Sequence, residues 1–225
     1  MRIGKLEFPP ELLIMPALVL IAAVLILWSC YYHYRQKGEM RTLAESRGWN
    51  FLGKDLPELR RWFAEVDAGR KWTPSNIIQV EGPPEKVYLF NYWSHSGQSR
   101  GSSEEGTACL AERPDSQTAE LVRIDPRTPL APLNELEEKL LVDIVQVGGP
   151  EFRGKFMVRC RRPDIAAATI TSGVQEVLLR QTSSLNWHQV MIAGRRVLVT
   201  VTLPLKPEEW DELIGMTKRL RATLP

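Results

Sequence analysis

The sequence predicts an α+β protein: a single N-terminal transmembrane helix followed by a soluble domain of antiparallel hairpins and covering helices. Three observations carry this. Leu12 to Tyr32 contains no charged residue, and its first part, Leu12 to Trp28, is apolar throughout. Several later stretches alternate apolar and polar residues with a period of two, as half-buried strands do. Others repeat apolar residues at intervals of three and four, the stripe that an amphipathic helix buries.

A helix rises about 1.5 Å per residue, so roughly 20 apolar residues cross a hydrocarbon core of about 30 Å. Leu12–Tyr32 has that length. Trp28, Tyr31, Tyr32 and Tyr34 place amphipathic rings where a membrane interface would lie, and Arg35, Lys37 and Arg41 follow at once. The chain thus divides into a short flank (1–11), a span (12–32), a juxtamembrane linker (33–40) and a soluble domain (41–225), with two abutting halves, 41–131 and 132–225, as a variant. A cleaved signal peptide is the competing reading, since Arg2 and Lys5 precede the run, but no small-x-small cleavage pattern follows it. Leu27-Trp28-Ser29-Cys30 resembles a lipoprotein box with a poor second residue, which keeps an exported lipoprotein as an alternative. After the span lie Arg35, Lys37, Arg41 and Arg47, before it only Arg2 and Lys5, so the positive-inside bias puts the soluble domain in the cytoplasm. Cys30, Cys109 and Cys160 are odd in number, widely spaced, and match no disulfide framework.

The soluble part reads as follows. Glu39–Arg47 forms a short helix that Gly48 ends, and Trp49–Leu52 a strand. Leu56, Leu59, Trp62, Phe63 and Val66 make the buried stripe of a second helix. Asn76–Val80 and Lys86–Trp93 form a hairpin around Gly82-Pro83-Pro84, with Tyr88, Phe90 and Tyr92 on one face and Val87, Leu89 and Trp93 on the other. Ser94–Gly106, rich in serine and glycine, reads as a mobile loop. Thr107–Glu112 and Ala119–Ile124 resume the sheet, Asp125 to Pro132 is an extended connector, and Leu133–Leu141 is helical. Val142–Val147 and Arg153–Arg161 are strands. Ser172 with Gln175 reads as a capping box opening a helix to Arg180. Trp187–Ala193 and Arg196–Leu203 form a hairpin around Gly194. The closing helix begins at Pro207, with Glu208 and Glu209 in its first turn and Lys218, Arg219 and Arg221 near its end, each complementing the helix dipole.

The charge balance, 29 Lys and Arg against 27 Asp and Glu, gives a net charge of +2 and speaks against a nucleic-acid binder. No phosphate loop, GxGxxG, HExxH, GxSxG or kinase signature occurs, so neither a catalytic site nor a cofactor or metal is expected. His33, His95 and His188 are scattered; His188, between Trp187 and Gln189, reads as a surface or satisfied residue, and Cys160 as core.

Over nearly the whole chain, the order of an N-terminal span, Leu43-Ala44 with Arg47-Gly48-Trp49-x-Phe51, then Phe90-Asn91-Tyr92, Asp143-Ile144, Pro150-Glu151-Phe152 and Phe156-x-Val158 resembles a family of uncharacterised bacterial membrane-anchored proteins. The resemblance implies that architecture and a bacterial inner membrane, with no activity attached. Asn91 stands where the pattern would have an aspartate, which argues against a catalytic carboxylate there.

These readings favour a membrane-tethered, non-enzymatic binding domain, with a tethered enzyme lacking a visible motif as the alternative. Its partners are the bilayer, through residues 12–32, and a protein or acidic lipid headgroups. The candidate contact is a basic strand face: Arg153, Lys155, Arg159 and Arg161 share one parity, whereas Phe156, Val158 and Cys160 take the other. Near acidic headgroups each cation would contribute about 1 kcal/mol. Asp143 or Glu151 on a neighbouring element would neutralise it instead.

Overall fold

The computed structural model describes residues 10–54, 56–67, 69–96, 103–112, 120–127, 143–181 and 185–224; the side chains described exclude those of 10–18, 26, 29, 30, 32–34, 36 and 96. The helix expected at Leu133–Leu141 and the connector beyond residue 127 lie outside these residues. Contacts divide the chain into two units, Met1–Leu43 and Ala44–Pro225.

Helix α1 (Pro10–Ser46) runs 37 residues without a break. The juxtamembrane linker expected at 33–40 is therefore helical. Gly38 is the one strong helix breaker there, and Arg35 Nε donates to Glu39 Oε1 at 2.7 Å, the i,i+4 pair that supports a helix. Val19, Leu20, Ile21, Val24, Leu25, Leu27 and Trp28 are all 55–69% exposed. Among the described residues no helix is long and apolar enough to cross a membrane; the first residues of the expected span, 12–18, have their side chains outside the described set.

The second unit is α+β, built on a nine-stranded antiparallel sheet. Its strands are β1 (Asn50–Gly53), β2 (Arg70–Glu81), β3 (Lys86–Ser96), β4 (Ser103–Glu112), β5 (Leu121–Pro126), β6 (Ile144–Val145), β7 (Phe156–Arg159), β8 (Trp187–Ala193) and β9 (Arg196–Thr202), in the order β1-β2-β3-β4-β9-β8-β5-β7-β6. Strands from before and after residue 131 interleave. β4 and β5, which follow one another in sequence, are separated by the β9-β8 hairpin, because Thr107–Ala111 pairs with Val197–Val201 and Leu121–Ile124 with Val190–Ala193. The helices are α2 (Pro57–Val66), α3 (Pro150–Lys155), α4 (Pro163–Thr169), α5 (Ser172–Arg180) and α6 (Pro207–Ala222).

The two faces are covered differently. On one, α2 sets Leu59, Trp62 and Phe63 against Trp72, Ile77, Tyr88, Phe90, Tyr92, Ala108 and Leu110. Phe63 stacks on Trp72 with centroids 4.6 Å apart and meets Phe90 edge-on at 6.1 Å, geometries that add to simple burial. The opposite face carries Val87, Leu89, Cys109, Val197 and Val199, all fully buried, and packs on α6, whose Thr217 lies beside Cys109. Burial there pushes the Cys109 thiol up to about 12. Trp93, expected on this apolar face, is 43% exposed and stacks on His95.

Three local expectations change. β2 begins at Arg70 rather than Asn76. Pro74 lies within it, and β1 pairs only with Ile77–Gln79, so among the described strands nothing lies beside Pro74 on that edge to need its missing N–H. Ser94–Ser96 and Ser103–Gly106 are strand, not loop, and only 97–102 lies outside the described residues. A Cβ on Gly106 would sit 1.8 Å from the Val201 carbonyl oxygen, so this glycine marks a close backbone approach. Finally, the strand expected over Arg153–Arg161 is α3 followed by the four residues of β7. Pro150 at its first turn, Glu151 behind it and a 2.9 Å Lys155–Glu151 pair favour the helix. Phe152 and Phe156, four apart, bring their rings together at 4.9 Å in a tilted arrangement.

Candidate functional site

Arg153, Lys155, Arg159 and Arg161 do not form one face. Arg153 and Lys155 are exposed on α3, Arg161 is exposed beyond β7, and Arg159, on β7, is mostly buried. Phe156, Val158 and Cys160 are buried as expected. Glu151 takes Lys155 within α3 rather than from a neighbouring strand, while the partner of Arg159 is Asp125, from β5.

Arg159 belongs to a different constellation. Beyond α2, the Tyr88-Phe90-Tyr92 face of the sheet turns from aromatic to charged. Register shows how: Ser94 lies opposite Glu104, Gln189 opposite Thr200, and Arg123 opposite both Met191 and Arg159. Since Met191 belongs to the cluster under α2, Arg123 and its cross-strand partners share that face. The result is an open groove of about 480 Å³, with Arg70, Arg123, Arg127, Arg159, Glu104 and Asp125 on its walls. His188 reaches it through a register shift between Trp187 and Gln189, an irregularity that re-aims a side chain out of strict alternation. Trp187 meanwhile packs its ring on Phe156 at 5.6 Å.

The charges are arranged in pairs across strands. Arg70 donates to both oxygens of Glu104, at 2.9 and 3.3 Å, and His188 Nε2 lies 3.6 Å from Glu104 Oε1. Arg159 Nε donates to Asp125 Oδ2 at 2.8 Å and Gln189 Nε2 to Asp125 Oδ1 at 2.7 Å. Arg123 pairs with Asp67, a buried carboxylate that also accepts the Trp72 indole N–H at 2.9 Å. Arg127 Nε donates to the Arg153 carbonyl at 2.7 Å. His188, then burial opposing it, then Arg70 set the Glu104 carboxyl, which is held down to about 2. Glu104 in turn raises the His188 imidazole above its ordinary value.

Chemically, this is an arrangement for holding charge. Glu104 is too weak a base for proton abstraction near neutral pH, because its proton affinity lies far from the operating range. Among the described residues no group of three His, Cys, Asp or Glu is placed to hold a metal. Asn91 accepts from Thr107 Oγ1 at 3.4 Å, and Thr107 accepts the Leu205 N–H at 2.9 Å, which ties β3 and β4 to the chain entering α6. Sequence reading missed Arg70, Glu104, Arg123 and Asp125, and saw His188 as a surface or satisfied residue. The available signal was Arg123-x-Asp125, two charges at one parity in a strand whose other parity is Val122 and Ile124.

No protein-family model matches the chain, and no curated protein matches it. Among solved structures it is similar to the crystal structure of the mycobacterial trehalose monomycolate transport factor A, TtfA, with a TM-score of 0.54 and 16% identity over 84% of this chain and 96% of that one. At that identity the likeness is one of fold.

Proposed function

We propose that the protein is a bacterial membrane-tethered, non-enzymatic binding domain, anchored in the inner membrane by residues 12–32 and exposing its sheet to the cytoplasm. The observation that carries the tether is the exposure of Val19, Leu20, Ile21, Val24, Leu25, Leu27 and Trp28 on α1. Water-soluble helices hide one apolar stripe, whereas a helix apolar on all sides needs lipid or protein around it. The uncharged run Leu12–Tyr32 and the basic residues Arg35, Lys37 and Arg41 behind it support the same orientation. The pairing of the groove's charges, Arg70 with Glu104, Arg159 with Asp125 and Arg123 with Asp67, supports binding. The partners this reading gives are the bilayer and, for the second unit, an acidic headgroup or a protein.

The test is a full-length chain carrying alkaline phosphatase or a fluorescent protein at its C-terminus, expressed in bacteria. The fusion should stay in the membrane fraction after alkaline carbonate extraction, with a fluorescent and phosphatase-inactive C-terminus. A chain released by carbonate removes the tether; an active phosphatase reverses the sidedness.

A further inference from the structure

Three features of the groove are unexplained by an ion-pair lattice alone. Its walls carry four arginines against two carboxylates. Arg123 and Arg159 are direct cross-strand partners, a like-charge juxtaposition that ordinarily destabilises a sheet; each has one carboxylate, Asp67 and Asp125, and Asp125 is shared with Gln189. Next to Glu104, the buried Ser94 Oγ, its cross-strand neighbour, lacks a hydrogen-bond partner. Unsatisfied buried polar atoms are rare enough in folded proteins to need a cause.

We infer that this groove binds one phosphate-class oxyanion, held by Arg123, Arg127 and Arg159, with Arg70 at its far wall. A guanidinium has five N–H donors, and a carboxylate on one edge leaves others for a second anion. The arginines come from different strands, β2, β5 and β7, and from the residue after β5. A planar carboxylate presents one fork; a tetrahedral oxyanion presents oxygens in several directions and suits convergent guanidiniums. The anion relieves the Arg123–Arg159 repulsion that the two carboxylates leave incomplete. The shared chemistry is the phosphate group, carried by a lipid headgroup or free in solution. This inference stands whether or not α1 spans a bilayer.

The experiment uses the full chain in nonionic detergent. Isothermal titration with inorganic phosphate, and separately with mixed micelles containing phosphatidic acid or phosphatidylcholine alone, reads binding and its source. A saturable signal with phosphate or phosphatidic acid is expected, and it should weaken about tenfold or more in Arg127→Gln/Arg159→Gln. In that variant Asp125 keeps Gln189, and the far-UV spectrum should be unchanged. Tighter binding of phosphatidic acid than of inorganic phosphate assigns the group to a lipid headgroup; equal binding assigns it to a soluble phosphate. Should the double variant fail to fold, Arg159→Lys, which keeps the charge and loses the fork, should still weaken binding. A folded wild-type chain that takes up neither probe, or folded variants that bind as tightly as wild type, overturns the inference.

Discussion

Glu104 is the side chain on which the groove depends most, since it accepts from one strand's arginine and faces another strand's histidine. The two titrations act in opposite windows. Glu104 is lowered from 4.5 to about 2 in the folded chain, so its contribution is complete above the unfolded value and is lost as pH falls toward the folded one. His188 is raised from 6.5; its contribution is complete below that value and is lost as pH rises through the higher folded one. Thermal unfolding followed from pH 2 to 9 should therefore show a decline above pH 6.5 that His188→Asn removes. Glu104→Gln should remove that decline, flatten the acid limb, and cost about 1–3 kcal/mol at pH 7 by leaving Arg70 without its carboxylate. A Glu104→Gln profile superimposable on wild type would mean that solvent already screens the pair. None of this was readable from Glu104 in the sequence, where it lies in a serine-rich stretch that resembles a loop.

Among the elements, α5 shows how a local rule can choose the wrong residue. Ser172 and Gln175 have capping-box spacing, yet the helix starts at Ser172 and the cap is Thr171, whose Oγ1 accepts the Val174 N–H at 3.3 Å. Gln175 looks outward from the helix instead: its Oε1 accepts the Gly149 N–H at 2.8 Å and its Nε2 donates to the Ile170 carbonyl at 3.2 Å. The glutamine is thus engaged by the turn that leads into α3. Thr171→Ala should cost about 1 kcal/mol in chemical denaturation, whereas Ser172→Ala should stay within about 0.5 kcal/mol. The reverse order would put the cap back on Ser172. Helices with a long apolar stripe, α2 and α6, were legible because several residues vote on their phase: Leu59, Trp62 and Phe63 in one, Trp210, Leu213, Ile214, Thr217 and Leu220 in the other. α3 and α4 were not, since each has fewer than eight residues and buries a single side chain, Phe152 or Ala166.

At the scale of the molecule, the nine strands make one ladder whose centre is formed by β4 pairing with β9 across some ninety positions of sequence, Thr107 with Val201. A sheet closed by contacts so distant cannot lose one half and keep the other, because the β9-β8 hairpin inserts between β4 and β5. Guanidinium unfolding of the full chain in detergent should accordingly show coincident far-UV and tryptophan-fluorescence transitions for the sheet-bearing unit. Two separated transitions would mean that the β1-to-β4 and β5-to-β9 portions unfold independently.

The sequence by itself determined what depends on neighbours along the chain. It gave the uncharged run of α1, the Gly48 stop with φ +70, the β2-β3 and β8-β9 hairpins and the apolar stripes of α2 and α6, each set by side-chain period and turn chemistry within about twenty residues. Strand order, the helical continuity of 33–40, the helix at Arg153 and the groove were decided by tertiary structure. Arg70, Glu104, Arg123, Asp125, Arg159 and His188 come from five strands, and no spacing along a chain records which strands will become neighbours. A charged residue in a strand reads as solvent-facing when its cross-strand partner is unknown; only pairing shows that these charges face one another.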